Sequence, residues 1–309
     1  MSGDHNALNV AVDELVVDAV KLTRQTGLGG RLLPLMRAAL RRFVPPTLRS
    51  HVRAVIDKRA LSRLPTATVD GHHLLSALDL SDLLINPAAD AAWQRSAPEL
   101  GALQLPDETG GMTSGECRLL YYLTAFLKPS SVLEIGTHIG ASTVHFAAAL
   151  RDHTNNGTLT TVDIVDVNAE HGPWRTLGAA KPSDLVRTIG MGDRVRFVVA
   201  PALDLLAAEK RFDLILLDGD HAADAVYREV PAALRCINPG GVIVLHDYFP
   251  DLKPIFRDPP LPGPFLALSH LRKQHPSLAV QTFAPLPWPT KHGTHRTCLA
   301  LVVRSSTAS

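Results

Sequence analysis

The run of elements after residue 113 predicts an α/β fold: a seven-stranded, mostly parallel sheet covered on both faces, preceded by a helical N-terminal extension. Two observations predict it. Short β-rich runs alternate with helical segments, a rhythm that builds a parallel sheet under helices. The last two β-rich runs, 278–283 and 297–303, are joined by a proline-rich loop too short for a crossover helix, so they should pair antiparallel.

Taken in order, residues 8–22 read as an amphipathic helix. Leu8, Val12, Leu15, Val16 and Ala19 share one face, and Glu14, Asp18 and Lys21 the other. Gly27, Gly29 and Gly30 end it. A second helix over 31–43 stops at Pro45-Pro46, and a third runs over about 48–61. The stretch 64–110 is mixed, with short helices expected near 74–84 and 88–96. Helix 114–127 then leads into strand 131–135, a glycine turn at 136–140 and helix 141–150. Strands follow at 159–163, 195–199, 213–217 and 242–245, separated by helical segments at 169–189, 202–209 and 222–236. The expected division is an extension over 1–110 and an α/β domain over 111–309.

Composition narrows the class. The 309 residues are 46% hydrophobic and 20% charged, enough apolar matter for a sizeable core. No run approaches the roughly 18 apolar residues of a membrane span. Asp4, Asp13, Glu14 and Asp18 argue against a signal or transit peptide in residues 1–22. Cys117, Cys236 and Cys298 are distant and odd in number, which suits a reducing compartment and predicts a cytoplasmic protein. The net charge of +1 hides an asymmetry: from Lys21 to Arg63 eleven basic residues meet one acid, Asp57, so that segment is +10 and the rest −9.

The chemistry gathers at strand ends. Glu134-Ile135-Gly136-Thr137-His138-Ile139-Gly140 puts two glycines after the first strand. There the backbone can approach a ligand closely, and the next helix offers free N–H groups. The spacing is G-x-x-x-G, not the dinucleotide fingerprint. Asp163 ends the second strand, where a carboxylate can accept both hydroxyls of a ribose. The fourth strand runs into Asp218-Gly219-Asp220-His221 and the fifth into His246-Asp247-Tyr248. Neighbouring strands would let Asp218, His246 and Asp247 converge at the sheet edge where open α/β sheets bind ligands. Oxygen and imidazole donors of this kind suit a divalent metal, and the carboxylates favour Mg²⁺.

Glu134-x-Gly136-x-x-x-Gly140, Asp163 and the Pro239-Gly240-Gly241 turn resemble class I S-adenosylmethionine (SAM)-dependent methyltransferases, whose fold is a Rossmann-like seven-stranded sheet with a reversed last strand. The resemblance covers about 111–247. It implies that Gly136 and its neighbours Thr137, Gly140 and Ser142 pass under the methionine part of SAM. Glu134 would sit near that end, Asp163 on the ribose, and the adenine near Ala200–Ala202, with Asp218 at the pocket's edge. The acids and histidines further resemble metal-dependent O-methyltransferases of the catechol and macrolide-sugar types. That resemblance implies a metal at Asp218, His246 and Asp247 and His221 as general base. His246 departs from it, since an acid is more usual there.

The function expected is methyl transfer to a hydroxyl of a small molecule, for instance a natural product or sugar. The alternatives are a metal-independent methyltransferase acting on nitrogen or a phenol, and a nucleic-acid-modifying enzyme using the basic segment. Phe43 is the only aromatic residue in that segment, which disfavours stacking on single strands. Pairing of its arginines with the acidic body or with a second subunit in a homo-oligomer fits it better, and contact with a membrane surface ranks level with nucleic-acid binding. The proline-rich stretch 248–288 is expected to form a long loop beside the acceptor, walled by Tyr248, Phe249 and Trp288.

Overall fold

One sheet holds β1 (Ser131–Ile135), β2 (Thr158–Asp163), β3 (Val195–Val199), β4 (Phe212–Leu217), β5 (Ile237–Leu245), β6 (Leu278–Thr282) and β7 (Ala300–Arg304). Their order is β3-β2-β1-β4-β5-β7-β6. The computed structural model describes residues 46–69, 74–107, 111–208, 210–256, 259–283 and 285–305; the helices expected at 8–22 and 31–43 lie outside them. The helices are α1 (Pro46–Leu61), α2 (Leu80–Leu84), α3 (Pro87–Ala102), α4 (Ser114–Leu127), α5 (Ala141–His153), α6 (Pro173–Leu177), α7 (Pro182–Thr188), α8 (Ala202–Leu206), α9 (Ala223–Cys236) and α10 (Gly263–Gln274). Among the described residues no helix is long and apolar enough to cross a membrane.

β1 to β5 are parallel, and β7 runs antiparallel to both β5 and β6. This is the seven-stranded sheet with a reversed last strand that the sequence predicts. Alternate residues of each strand feed two cores. Val132, Leu214, Leu216, Val244 and Leu301 pack with Leu119, Tyr121 and Phe146 of α4 and α5. Leu133, Ile215, Leu217, Ile243 and Val302 pack with Val226, Val230, Leu268 and Leu271 of α9 and α10. Burial on both faces explains why the strands read as continuous apolar runs.

The register matters most for function. Ile135 pairs with both Val162 and Leu217, and Leu217 pairs with Leu245. The C-terminal ends of β1, β2, β4 and β5 are therefore level, and the residues that follow them share one rim. The chain order also reverses between β1 and β4, which opens a crevice at that rim.

Several expected elements are corrected. The helix at 169–189 is two short ones, α6 and α7. Gly178 takes a left-handed φ of 73° at the end of α6, and Pro182 starts α7. Leu75 and Ser76, expected in a helix, instead run extended across the ends of β5 and β7. Leu75 N–H donates to Gly241 O, Arg304 N–H donates to Leu75 O, and Ser76 bridges Arg304. Rim backbone groups need such partners. The loop expected over 248–288 contains the twelve-residue α10, whose Pro264 sits where a helix tolerates proline. Leu266, Ala267, Leu268 and Leu271 bury its inner face.

The described helices before α4 pack on the body. α1 lies across α9 and α10, and α3 across α4 and α5. Val52, Ile56 and Leu61 of α1 are buried. Asp57 Oδ1 accepts the backbone N–H of Ala223 at 3.4 Å.

At the opposite rim Asp213 ties three strands together. Its Oδ2 accepts from Ser130 N (2.8 Å), Ser130 Oγ (2.6 Å) and Ser131 N (3.0 Å), and its Oδ1 from Asn238 Nδ2 (2.7 Å). Partial burial raises its pKa, but these donors outweigh that and hold it below the usual carboxylate range. A depressed acid stabilises the fold above its unfolded pKa, and the stability is lost as pH falls through the folded one. Asp213→Ala should therefore cost about 1–2 kcal/mol at neutral pH, discounted for solvent exposure, and less at an acid pH below the ordinary carboxylate range. Urea melts at the two pH values check this; an equal loss at both would contradict it.

Candidate active site

The rim is built on glycine geometry after β1. Gly136 has φ +99°, and a Cβ there would stand 2.3 Å from the Asp218 carbonyl oxygen. Only glycine lets the turn lie against the end of β4. Gly140, at φ +81°, caps α5. Thr137 Oγ1 is 2.6 Å from Thr161 Oγ1, which pins the turn to β2.

Beneath the turn, Glu134 accepts from Ser142 Oγ at 2.5 Å and from Thr143 Oγ1 at 2.6 Å. Glu134, Thr137 and Ser142 are buried. Their contacts make them supports of the turn, while the cavity above is lined by Gly136, Asp163 and Asp218 among the expected residues. Burial pushes the Glu134 carboxyl up to about 7, with the Ser142 and Thr143 hydroxyls offsetting part of that rise.

The cavity has a volume of about 490 Å³, within the range of small-molecule sites. It runs from Asp163 and Ala200 past Gly136 to the 218–221 loop and Glu229. The Asp163 carboxylate accepts His138 N–H at 3.0 Å and Val165 N–H at 3.2 Å, which fixes its direction while leaving lone pairs for a ligand. Burial, reinforced by Asp220, raises the Glu229 carboxyl to about 7.

At the other end of the cavity the acids and histidines converge. His221 Nε2 stands 3.4 Å from Asp247 Oδ2 and 3.8 Å from Asp218 Oδ1. Gly263 of α10 packs directly under the His221 carbonyl, so close that no Cβ would fit. His246 Nδ1 and Asp218 Oδ1 form a 2.8 Å hydrogen bond. Asp247 stands beside them with its backbone in the left-handed region, φ 55°.

Two residues of this cluster were not expected from the sequence. Glu116 of α4 lies 3.8 Å from His246 Nε2, and Cys298, just before β7, sits between Glu116 and Asp247 with its sulfur 3.5 Å from a carboxylate oxygen of each. Burial pushes the Glu116 carboxyl up, but the charge of His246 nearby, with hydrogen bonds from Thr297 and Thr113, brings it down to about 2. Burial likewise works against a charge on His246, and Asp218 foremost overrides it, so that pKa lies well above the ordinary one. The sequence did carry a sign of Glu116. Thr113-x-x-Glu116 is a capping box, and the cap is present. Nothing in the sequence distinguished Cys298.

The expected aromatic walls lie elsewhere. Tyr248 is buried against Phe265, and Phe249 against Phe256. Trp288 lines a second cavity of about 400 Å³ under the Arg118 guanidinium, 4.0 Å above its ring.

The raised Glu134 carboxyl gives a stability test. In the unfolded chain it ionises near 4.5, whereas the folded protein keeps the proton to about 7. Stability should therefore fall as pH rises between those values. Glu134→Gln, which cannot ionise, should flatten that fall. Melting temperatures at about pH 5 and pH 8 check it; an unchanged slope in the variant would contradict the assignment.

Comparison with known proteins fits this geometry. The family described as Methyltransferase domain matches residues 133–248. A provisionally named O-methyltransferase of Mycobacterium sp. (strain JLS) is 30% identical over 158 residues, 50% of this chain and 62% of that protein. The catechol O-methyltransferase of Mycobacterium tuberculosis is 31% identical over 163 residues, 52% and 64% of the two chains. The chain thus spans less than two thirds of the length of these relatives. An O-methyltransferase from Bacillus cereus, solved in complex with SAH, superposes with a TM-score of 0.48 at 20% identity, covering 73% of this chain and 95% of that one. Over residues 133–248, from β1 to just past β5, this chain is similar to methyltransferases.

Proposed function

We propose that the protein is a SAM-dependent O-methyltransferase acting on a hydroxyl of a small molecule, such as a natural product or a sugar. In this reading residues 1–110 are an extension on a catalytic domain of 111–309. The protein works in the cytoplasm as a homo-oligomer, and its three cysteines are free and buried, as a reducing compartment suits. The observation that carries the reading is one cavity holding the Gly136 turn and Asp163 at one end and His221 between two carboxylates at the other.

The cavity suits SAM in volume and in donors. Asp163 would hold the ribose, the Gly136 backbone the methionine part, and the adenine would lie by Ala200 and Ala202. SAM supplies a methyl group on a positively charged sulfur, open to in-line attack by oxygen. An aliphatic hydroxyl is a poor nucleophile until its proton is removed. Asp218 and Asp247 face His221 Nε2, so that nitrogen carries the hydrogen and Nδ1 is left to take the acceptor's proton. The two carboxylates then stabilise the imidazolium that forms, as carboxylates do beside catalytic histidines.

A divalent cation belongs to the same reading. Asp218 and Asp247 offer the hard oxygens that Mg²⁺ prefers, and a bound ion would lower the pKa of the acceptor hydroxyl. His246 joins such a set only if its Nδ1 leaves Asp218, because each is now the other's hydrogen-bond partner at 2.8 Å.

Calorimetry should detect binding of S-adenosylhomocysteine, weakened about tenfold or more by Asp163→Ala, the usual loss for a charge-assisted hydrogen bond. No binding by the wild type would sink the cofactor assignment. His221→Ala should leave that affinity nearly unchanged and lower turnover roughly 10²–10⁴-fold. Full turnover in this variant would remove His221 as base. Turnover after exhaustive chelation, with and without restored Mg²⁺, tests the metal. Full activity of the chelated enzyme would favour metal-independent transfer, with His221 acting as the base alone.

A further inference from the structure

We propose that Glu116, His246 and Cys298 form a buried binding site for a thiophilic divalent ion, Zn²⁺ by the chemistry of its donors. The site goes beyond the methyltransferase reading and does not depend on it. One ligand atom of each residue lies within 4.8 Å of the others, and all three residues are buried. They come from three separate elements, α4, the end of β5 and the approach to β7, so only the folded chain assembles them.

His246 carries the argument. Its side chain is nearly inaccessible, and its Nε2 is buried without a hydrogen-bond partner. That nitrogen points toward Glu116 Oε2, 3.8 Å away, too far for a hydrogen bond. The opposite nitrogen, Nδ1, is bonded to the Asp218 carboxylate at 2.8 Å. A metal-binding histidine commonly has this arrangement: one nitrogen is held by a carboxylate, which sets the tautomer and the ring angle, and the other is left for the ion. Asp218 is then the orienting partner of His246 and not a donor to this ion.

The other two donors are held equally well. Glu116 Oε2 accepts Thr113 N–H at 3.3 Å and Thr113 Oγ1 at 3.2 Å, and Oε1 accepts Thr297 Oγ1 at 3.0 Å and Cys298 N–H at 3.3 Å. The Cys298 carbonyl accepts Tyr248 N–H at 2.9 Å, which anchors the thiol-bearing residue to the chain after β5. Asp247 adjoins the thiol at 3.5 Å and His221 at 3.4 Å, linking the cluster to the cavity.

Charge and softness choose the ion. Thiolate, imidazole and carboxylate together suit Zn²⁺, and a thiolate is a poor partner for Mg²⁺. On binding, the ion displaces the Cys298 thiol proton and the His246 Nε2 proton to solvent. A Glu116 carboxylate with a histidinium and a thiol is neutral overall; so is the same carboxylate with a thiolate, a neutral imidazole and a divalent cation. The buried cluster therefore gains no net charge by taking up the metal. Three protein donors leave a fourth position, as catalytic zinc sites do.

The test uses the full chain stripped by a chelator and titrated with Co²⁺ as the spectroscopic stand-in for Zn²⁺. One Co²⁺ should bind per chain with a thiolate-to-cobalt charge-transfer band in the near ultraviolet, and Zn²⁺ should abolish the band by displacement. Cys298→Ser should lose the band, and Glu116→Gln should weaken uptake at least tenfold. Asp218→Asn should keep the band. Circular dichroism establishes that each variant is folded. A wild type without the band, a band that survives Cys298→Ser, or displacement by Mg²⁺ as readily as by Zn²⁺ overturns the site. Binding of S-adenosylhomocysteine, measured on the same samples, separates the two proposals. A protein that binds it but takes up no Co²⁺ loses only the zinc site, and one that shows the band without binding it loses only the cofactor reading.

Discussion

The level register of β1, β2, β4 and β5 is the constraint on which the rest of this protein depends. Parallel pairing sets Ile135 beside Val162 and Leu217, and Leu217 beside Leu245. Whatever follows those four residues must therefore meet at one edge. Because the chain order reverses between β1 and β4, the helices on either side diverge there and leave a crevice. Gly136, Asp163, Asp218 and the 246–248 segment owe their proximity to this arrangement and to nothing in their local sequence.

The crevice concentrates charge that the interior must then accommodate. Glu116, Asp218, His246 and Cys298 are mostly or wholly buried beside the rim. An isolated charge there would cost several kcal/mol. The solution is a chain of contacts running Glu116, His246, Asp218, with Asp247 and His221 toward the cavity. Each carboxylate faces an imidazole, and the remaining Glu116 lone pairs are taken by Thr113, Thr297 and the Cys298 backbone. Such a network rigidifies its members when every one is satisfied, and His246 Nε2 is the one buried atom of the cluster left over.

The helices before α4 contribute to the same end. α1 seals the outer face of α9 and α10, and α10 in turn packs Gly263 against the His221 carbonyl. The position of the histidine is thus coupled to a segment about 160 residues away in sequence, through two layers of helix packing. α3 and α4 close the opposite face, with Trp93 set edge-on to Tyr121.

The sequence by itself determined the class of fold, the number and reversal of the strands, and the polar residues at each strand end. These follow from local rules: apolar runs of strand length, glycines where the backbone must turn with positive φ, and acids or histidines just past the last apolar residue. It also marked Glu116, but only as a helix cap, because a capping box reads the same whether its glutamate faces water or a buried histidine. Tertiary structure alone decided the rest. It moved Glu134 and Ser142 beneath the cavity floor, since β1 and α5 bury the faces that carry them. It set His246 Nδ1 against the Asp218 carboxylate. It also brought Cys298, 182 residues from Glu116, into the same cluster. Pairings at that separation are set by strand order and helix packing, which no local pattern encodes.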